Sequence, residues 1–99
     1  MALSGKQVRK LRSLAHHLNA HTIVGQAGIK DTTIMQVRES LHAHELVKVD
    51  IAESSGLDAH EAGAELADAL GAELVQVIGH KVVLYKRSEK KDIEHIDIN

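Results

Sequence analysis

At 99 residues, with no Cys, no Trp, no Phe and Tyr85 as its lone tyrosine, the chain is expected to form one domain. A domain of that size removes roughly 65% of its unfolded surface from water, so it should fold without staples, and disulfides and thiolate metal sites are closed to it. The net charge of −2 divides unevenly: residues 1–50 hold seven Lys and Arg against four Asp and Glu, a net of +3, and residues 51–99 hold five against ten, a net of −5. Before Asp31 there is no acid, against five cations, Lys6, Arg9, Lys10, Arg12 and Lys30. That polarity points the first part of the chain at an anionic partner. With so few aromatic rings, a platform that stacks bases on Phe, Tyr or Trp is not expected. No apolar run approaches a membrane span and the first residues form no secretory signal, so a soluble, cytoplasmic setting is expected.

Ser4 followed by Gln7 is a capping box, and Leu3 and Val8 are placed as its hydrophobic staple, so a first helix starts here. Val8, Leu11, Leu14, Ala15 and Leu18 fall on one stripe, with Lys6, Arg9, Lys10, Arg12, His16 and His17 on the other side. A helix face of charged residues is ordinarily just solvated, but such faces usually mix signs and this one has no acid. His21–Val24 reads as a short strand running into Val24-Gly25-Gln26-Ala27-Gly28-Ile29, a G-x-x-G loop. Asp31, Thr32 and Thr33 are all competent caps for a second helix ending near Ala43. Leu46–Ala52 alternates as a strand, with Val47, Val49 and Ile51 on one face. Asp58 caps a third helix stopped by Gly71, with Asp58, Glu61, Glu65 and Asp68 on a shared acidic face that should point away from any nucleic acid. Leu74–Ile78 and Val82–Lys86 form a hairpin about Gly79-His80. Residues 1–87 thus make the domain and 88–99 a charged C-terminal tail that reads as frayed, although the spacing of Ile93, Ile96 and Ile98 would allow it to pack.

The order helix-strand-helix-strand-helix-strand-strand predicts an α/β domain, a two-layer sandwich with a mixed four-stranded sheet. A G-x-x-G loop alone can be a mere tight turn. Here it ends a strand and opens a helix, where backbone N–H groups can hold a phosphate. Phosphate-loop and dinucleotide motifs are absent, and no cofactor is implied. Neither His16-His17 nor His42-Ala43-His44 has the i to i+4 spacing that lets two imidazoles share a metal ion. No nucleophile stands beside a base, so an enzyme is not expected.

The run His44-Glu45-Leu46-Val47-Lys48-Val49, the loop Val24 to Ile29, and Val75-Gln76-Val77-Ile78-Gly79 with Val83-Leu84-Tyr85-Lys86 resemble the CRM domain, named for chloroplast RNA splicing and ribosome maturation. Over about residues 3–87 the layout is similar to the stand-alone bacterial YhbY-type members. The resemblance implies a fold like the C-terminal domain of bacterial initiation factor three, an RNA-binding function without catalysis, and association with precursors of the large ribosomal subunit. It makes Gly25 and Gly28 the loop glycines, with Gln26 and Ala27 between them where relatives often carry a basic or polar residue. Lys86 stands where the family commonly has Arg.

The expected site is therefore Gly25, Gln26, Ala27 and Gly28 with Lys6, Arg9, Lys10, Arg12 and Lys30, and the expected partner is structured RNA, precursor ribosomal RNA of the large subunit. A protein-binding module that docks the cationic helix on an acidic ribosomal or assembly-factor surface is the alternative.

Overall fold

The computed structural model describes residues 3–98. Helix α1 (Gly5–Ala15) begins where the sequence places it: the Ser4 hydroxyl accepts the Gln7 N–H at 3.1 Å, and the Gln7 side chain accepts the Ser4 N–H at 2.9 Å. Strand β1 (Thr22–Val24) follows, then α2 (Asp31–His44), β2 (Leu46–Ile51), a 3₁₀ turn at Glu53–Ser55, α3 (Ala59–Leu70), β3 (Glu73–Ile78) and β4 (Lys81–Tyr85). The element order is the expected one. The start of α2 differs: Lys30 occupies the N-cap, not Asp31, Thr32 or Thr33. Thr33 serves from inside the helix instead, its hydroxyl accepting the Lys30 N–H at 3.2 Å. Asp31 then lies in the first turn, where a carboxylate is favoured by the helix dipole.

The sheet order is β1-β2-β4-β3. β1 and β2 are parallel, with Val24 opposite Ile51, and β4 runs antiparallel to both β2 and β3. β2 and β3 therefore point the same way, and the two crossovers through α2 and α3 build a mixed sheet. Gly63 lets α3 sit close on it, because a Cβ there would stand 3.0 Å from both Leu74 and Val82 side chains.

Helices cover both faces of the sheet, so the arrangement has one layer more than the two-layer reading. Val47, Val49, Ile51, Val82 and Leu84 pack beneath α2 and α3 with Val37, Leu41, Ala62, Leu66 and Leu70. On the other face Leu46, Val75, Val83 and Tyr85 pack beneath α1 through Leu11 and Ala15. The cause is that the strands are apolar on both sides, which alternation in β2 alone does not reveal. Leu14, on the expected apolar stripe, is 40% exposed at its margin.

The tail is not frayed over its described residues, and Asn99 lies outside them. Ile98 joins the core under α1 and Ser88 is buried. Both depend on Glu45, which caps α2 with φ 65° and has no exposed surface. Its carboxylate accepts the Ser88 and Ile96 N–H groups, each at 2.7 Å, and lies 2.7 Å from His95 Nδ1. Burial pushes that carboxyl up, but the bonds from His95, Ile96 and Ser88 more than offset it and hold it below its ordinary value.

Candidate nucleic-acid interface

The glycine loop is a tight turn closed by the Gly28 N–H on the Gly25 carbonyl at 2.9 Å. It is held at its ends by buried Val24 and by Ile29, which packs on the core beneath α2. Between those anchors Gln26 and Ala27 are exposed. The two glycines differ. Gly28 has φ +73°, a conformation that disfavours any side chain. Gly25 has no such φ, and a Cβ built on it would meet nothing within 4 Å.

Because the Gly28 N–H is engaged inside the turn and the Lys30 N–H is engaged by Thr33, those two donors are not directed at a ligand. The donors that remain are those of the first turn of α2, whose N-cap side chain supplies no acceptor. The Asp31 carboxylate competes there for any anion, and exposed Lys30 opposes it.

The cations of α1 form a second patch. Lys6, Arg9 and Arg12 are exposed and Lys10 is half-buried. Among the described residues none of them lies within ion-pairing distance of a carboxylate. Arg12 has a structural bond as well: its Nε donates to the Val75 carbonyl at 3.1 Å. That carbonyl belongs to a bulge, since Leu74 pairs with Leu84 and Gln76 with Val83, leaving Val75 unopposed. The guanidinium keeps its full charge and its other donors.

The structure thus gathers the nine predicted residues into two groups. Gly25 to Gly28 and Lys30 lie at the Ile51 end of the sheet, leading onto the α2 face. Lys6, Arg9, Lys10 and Arg12 lie on α1, which packs on β2, β3 and β4 from the opposite face. An elongated ligand that touches both must pass across the sheet margin. Two other cations have internal roles: Lys86 Nζ donates to the Leu70 carbonyl at the end of α3, and Lys48 Nζ donates to the Leu18 carbonyl after α1. Lys86, the counterpart of the family's common Arg, therefore closes a helix end.

Sequence reasoning missed one pair at the other end of α2 from the loop. His21 and His44, 23 residues apart in the chain, bring their rings to 5.1 Å between centroids. The Lys48 N–H donates to His21 Nδ1 at 3.3 Å. Burial, and then the neighbouring His44, lower the pKa of His21. Among the described residues no three or more His, Cys, Asp or Glu converge as a metal site.

The sequence model of the CRS1 / YhbY (CRM) domain matches residues 3–86, a span that takes in the glycine turn, the junction from α2 into β2 and the β3–β4 hairpin. The chain belongs to the CRM domain family. It is 44% identical over 93 residues to the probable RNA-binding protein YqeI of Bacillus subtilis, spanning 93% of this chain and 97% of that protein. An RNA-binding protein of Haemophilus influenzae is 38% identical over 96 residues, covering 93% of each chain. The solution structure of the hypothetical protein SAV1595 from Staphylococcus aureus matches with a TM-score of 0.72 at 37% identity, over 96% of this chain and 100% of that one. The α/β fold with helices on a mixed sheet is thus that of a CRM domain.

Proposed function

We propose that this CRM protein binds structured RNA, the precursor ribosomal RNA of the large subunit, through phosphate and shape recognition. The observation that carries the reading is Gly25. Neither backbone conformation nor internal packing requires a glycine there, and the space above it is open. A glycine without an internal reason suits the close approach of an outside backbone. A phosphate seated by the turn would meet the N–H groups that open α2 and the Lys30 ammonium, while Lys6, Arg9, Lys10 and Arg12 neutralise phosphates farther along. Family membership and the names of the relatives support RNA as the ligand class. The role is binding and not turnover.

If about four phosphates are neutralised, log K should fall against log salt with a slope of about −3 to −4. A binding titration with a structured ribosomal RNA fragment at several salt concentrations measures it, and a flat response would end the proposal. Co-sedimentation with large-subunit precursors that is lost on RNA digestion separates RNA from a protein partner.

A further inference from the structure

A groove of about 620 Å³ runs between the outer edge of β1 and the side of α2, from the C-terminal end of that helix toward its middle. His21, just before β1, and Ile23 within it line one side, and Gln36, Glu39, Ser40 and His44 line the other from the helix. β1 is an end strand, so the backbone groups along its outer side have no strand to bond. Ile23 is 68% exposed at the rim. Two paths lead from the groove toward the turn. Val24 at the end of β1 leads into Gly25, and a smaller depression that shares Gln36 and Glu39 continues past Met35 to Thr32 in the first turn of α2.

Among the described residues no lysine or arginine lines the groove. A phosphate would find no cation there and would face the Glu39 carboxylate. What the lining offers is two flat imidazoles, tilted by 38° to one another, with an amide, a hydroxyl and a carboxylate around them. That combination fits a nucleobase, which has a π face to stack and a donor and acceptor edge to bond. The imidazoles supply the stacking surface that the scarcity of Phe, Tyr and Trp denies to the rest of the chain. Glu39 accepts hydrogen bonds only, so it selects a base edge that carries an amino group.

We propose that this groove holds the base of an unpaired nucleotide, with bases bearing an exocyclic amino group favoured over uracil. That nucleotide lies about two or three positions along the strand from a phosphate on the glycine turn, since the imidazoles and the turn lie toward opposite ends of α2. The proposal rests on the RNA reading above and adds a single-stranded subsite to it. The RNA recognised is then a duplex with an unpaired flank.

The test uses the full chain and RNA hairpins with a short cytosine extension at the 5′ or the 3′ end, each compared with the same hairpin whose extension is abasic. The charge is equal, so the salt slopes should be parallel. One of the two cytosine hairpins should bind about tenfold tighter than its abasic twin, as stacking of a base would give. A uracil extension should fall between them. His44→Ala and, independently, Gln36→Ala should each shrink the ratio of cytosine to abasic binding toward one; both side chains are exposed, so both variants should fold. Equal binding of cytosine and abasic hairpins overturns the subsite, as does a ratio untouched by both substitutions. Failure of the underlying RNA reading looks different: no hairpin of any kind would bind with a salt-dependent affinity.

Discussion

The glycine turn and the Glu45 clasp are both irregular stretches at the ends of α2, and they treat their polar groups in opposite ways. At the clasp every carboxylate oxygen is taken up by the chain itself, and the backbone strain at φ 65° is held by those bonds. At the turn one internal bond closes the loop, and exposed Gln26 and Ala27 stand over open space. The first is built to hold the chain together, and the second is left for something outside. The same contrast sorts the cations. Lys48 and Lys86 bond carbonyls of their own chain, Arg12 does so through one donor, and Lys6 and Arg9 have no such bond among the described residues.

The largest effect should come from breaking the clasp. Glu45→Ala leaves the Ser88 and Ile96 N–H groups without their acceptor and frees the segment that brings Ile98 to α1. A loss of about 3 kcal/mol in urea unfolding is expected, since charged, buried hydrogen bonds are lost together. Acid should act on the same point. The carboxyl is held below its ordinary value of 4.5, so its stabilisation is complete above that value and is lost as pH falls through the lowered one. Glu45→Gln should flatten that part of the stability profile. A profile that falls with acid as steeply as in the unchanged chain would remove Glu45 from the account.

The clasp also shows where sequence reading stops. The boundary of α1 is local, one hydroxyl and one amide three residues apart, and Ser4 and Gln7 announce it. The clasp joins Glu45 to Ser88, His95 and Ile96, and no local period records a bond across some fifty residues. One hint exists: a carboxylate at the end of α2, where the dipole disfavours it, needs an internal partner. The second apolar face was hidden for a related reason. Leu46 alternates with Lys48 and Asp50, and only pairing with Val83 and Tyr85 turns that side of the sheet into a core. In the candidate site the glycines and cations are legible by type, whereas their division between two faces, and the meeting of His21 with His44, follow from sheet order.

A smaller effect tests the outward cations. Lys6→Glu with Arg9→Glu should leave the urea midpoint nearly unchanged, because neither side chain has an internal bond among the described residues. RNA affinity should drop roughly fiftyfold at about 0.1 M salt, and the salt slope should shrink by about two. An affinity loss with an unchanged slope would mean that these residues do not neutralise phosphates. Arg12 is a poorer choice, since its replacement also abandons the Val75 carbonyl.

The smallest changes in stability, one methyl group each, divide the two glycines. Gly28→Ala must place a side chain at φ +73°, so about 1 kcal/mol of stability should be lost even in the absence of RNA. Gly25→Ala meets no atom within 4 Å and no strained φ, so its unfolding should stay within about 0.5 kcal/mol of the unchanged chain. If an RNA phosphate does come up against the turn, that same methyl stands between it and the head of α2, and affinity should fall roughly fivefold, the loss of about one hydrogen bond. Stability and affinity are then uncoupled at Gly25 and coupled at Gly28. A Gly25→Ala protein that is both as stable and as tight as the unchanged chain would show that the open space above the turn is not where RNA arrives.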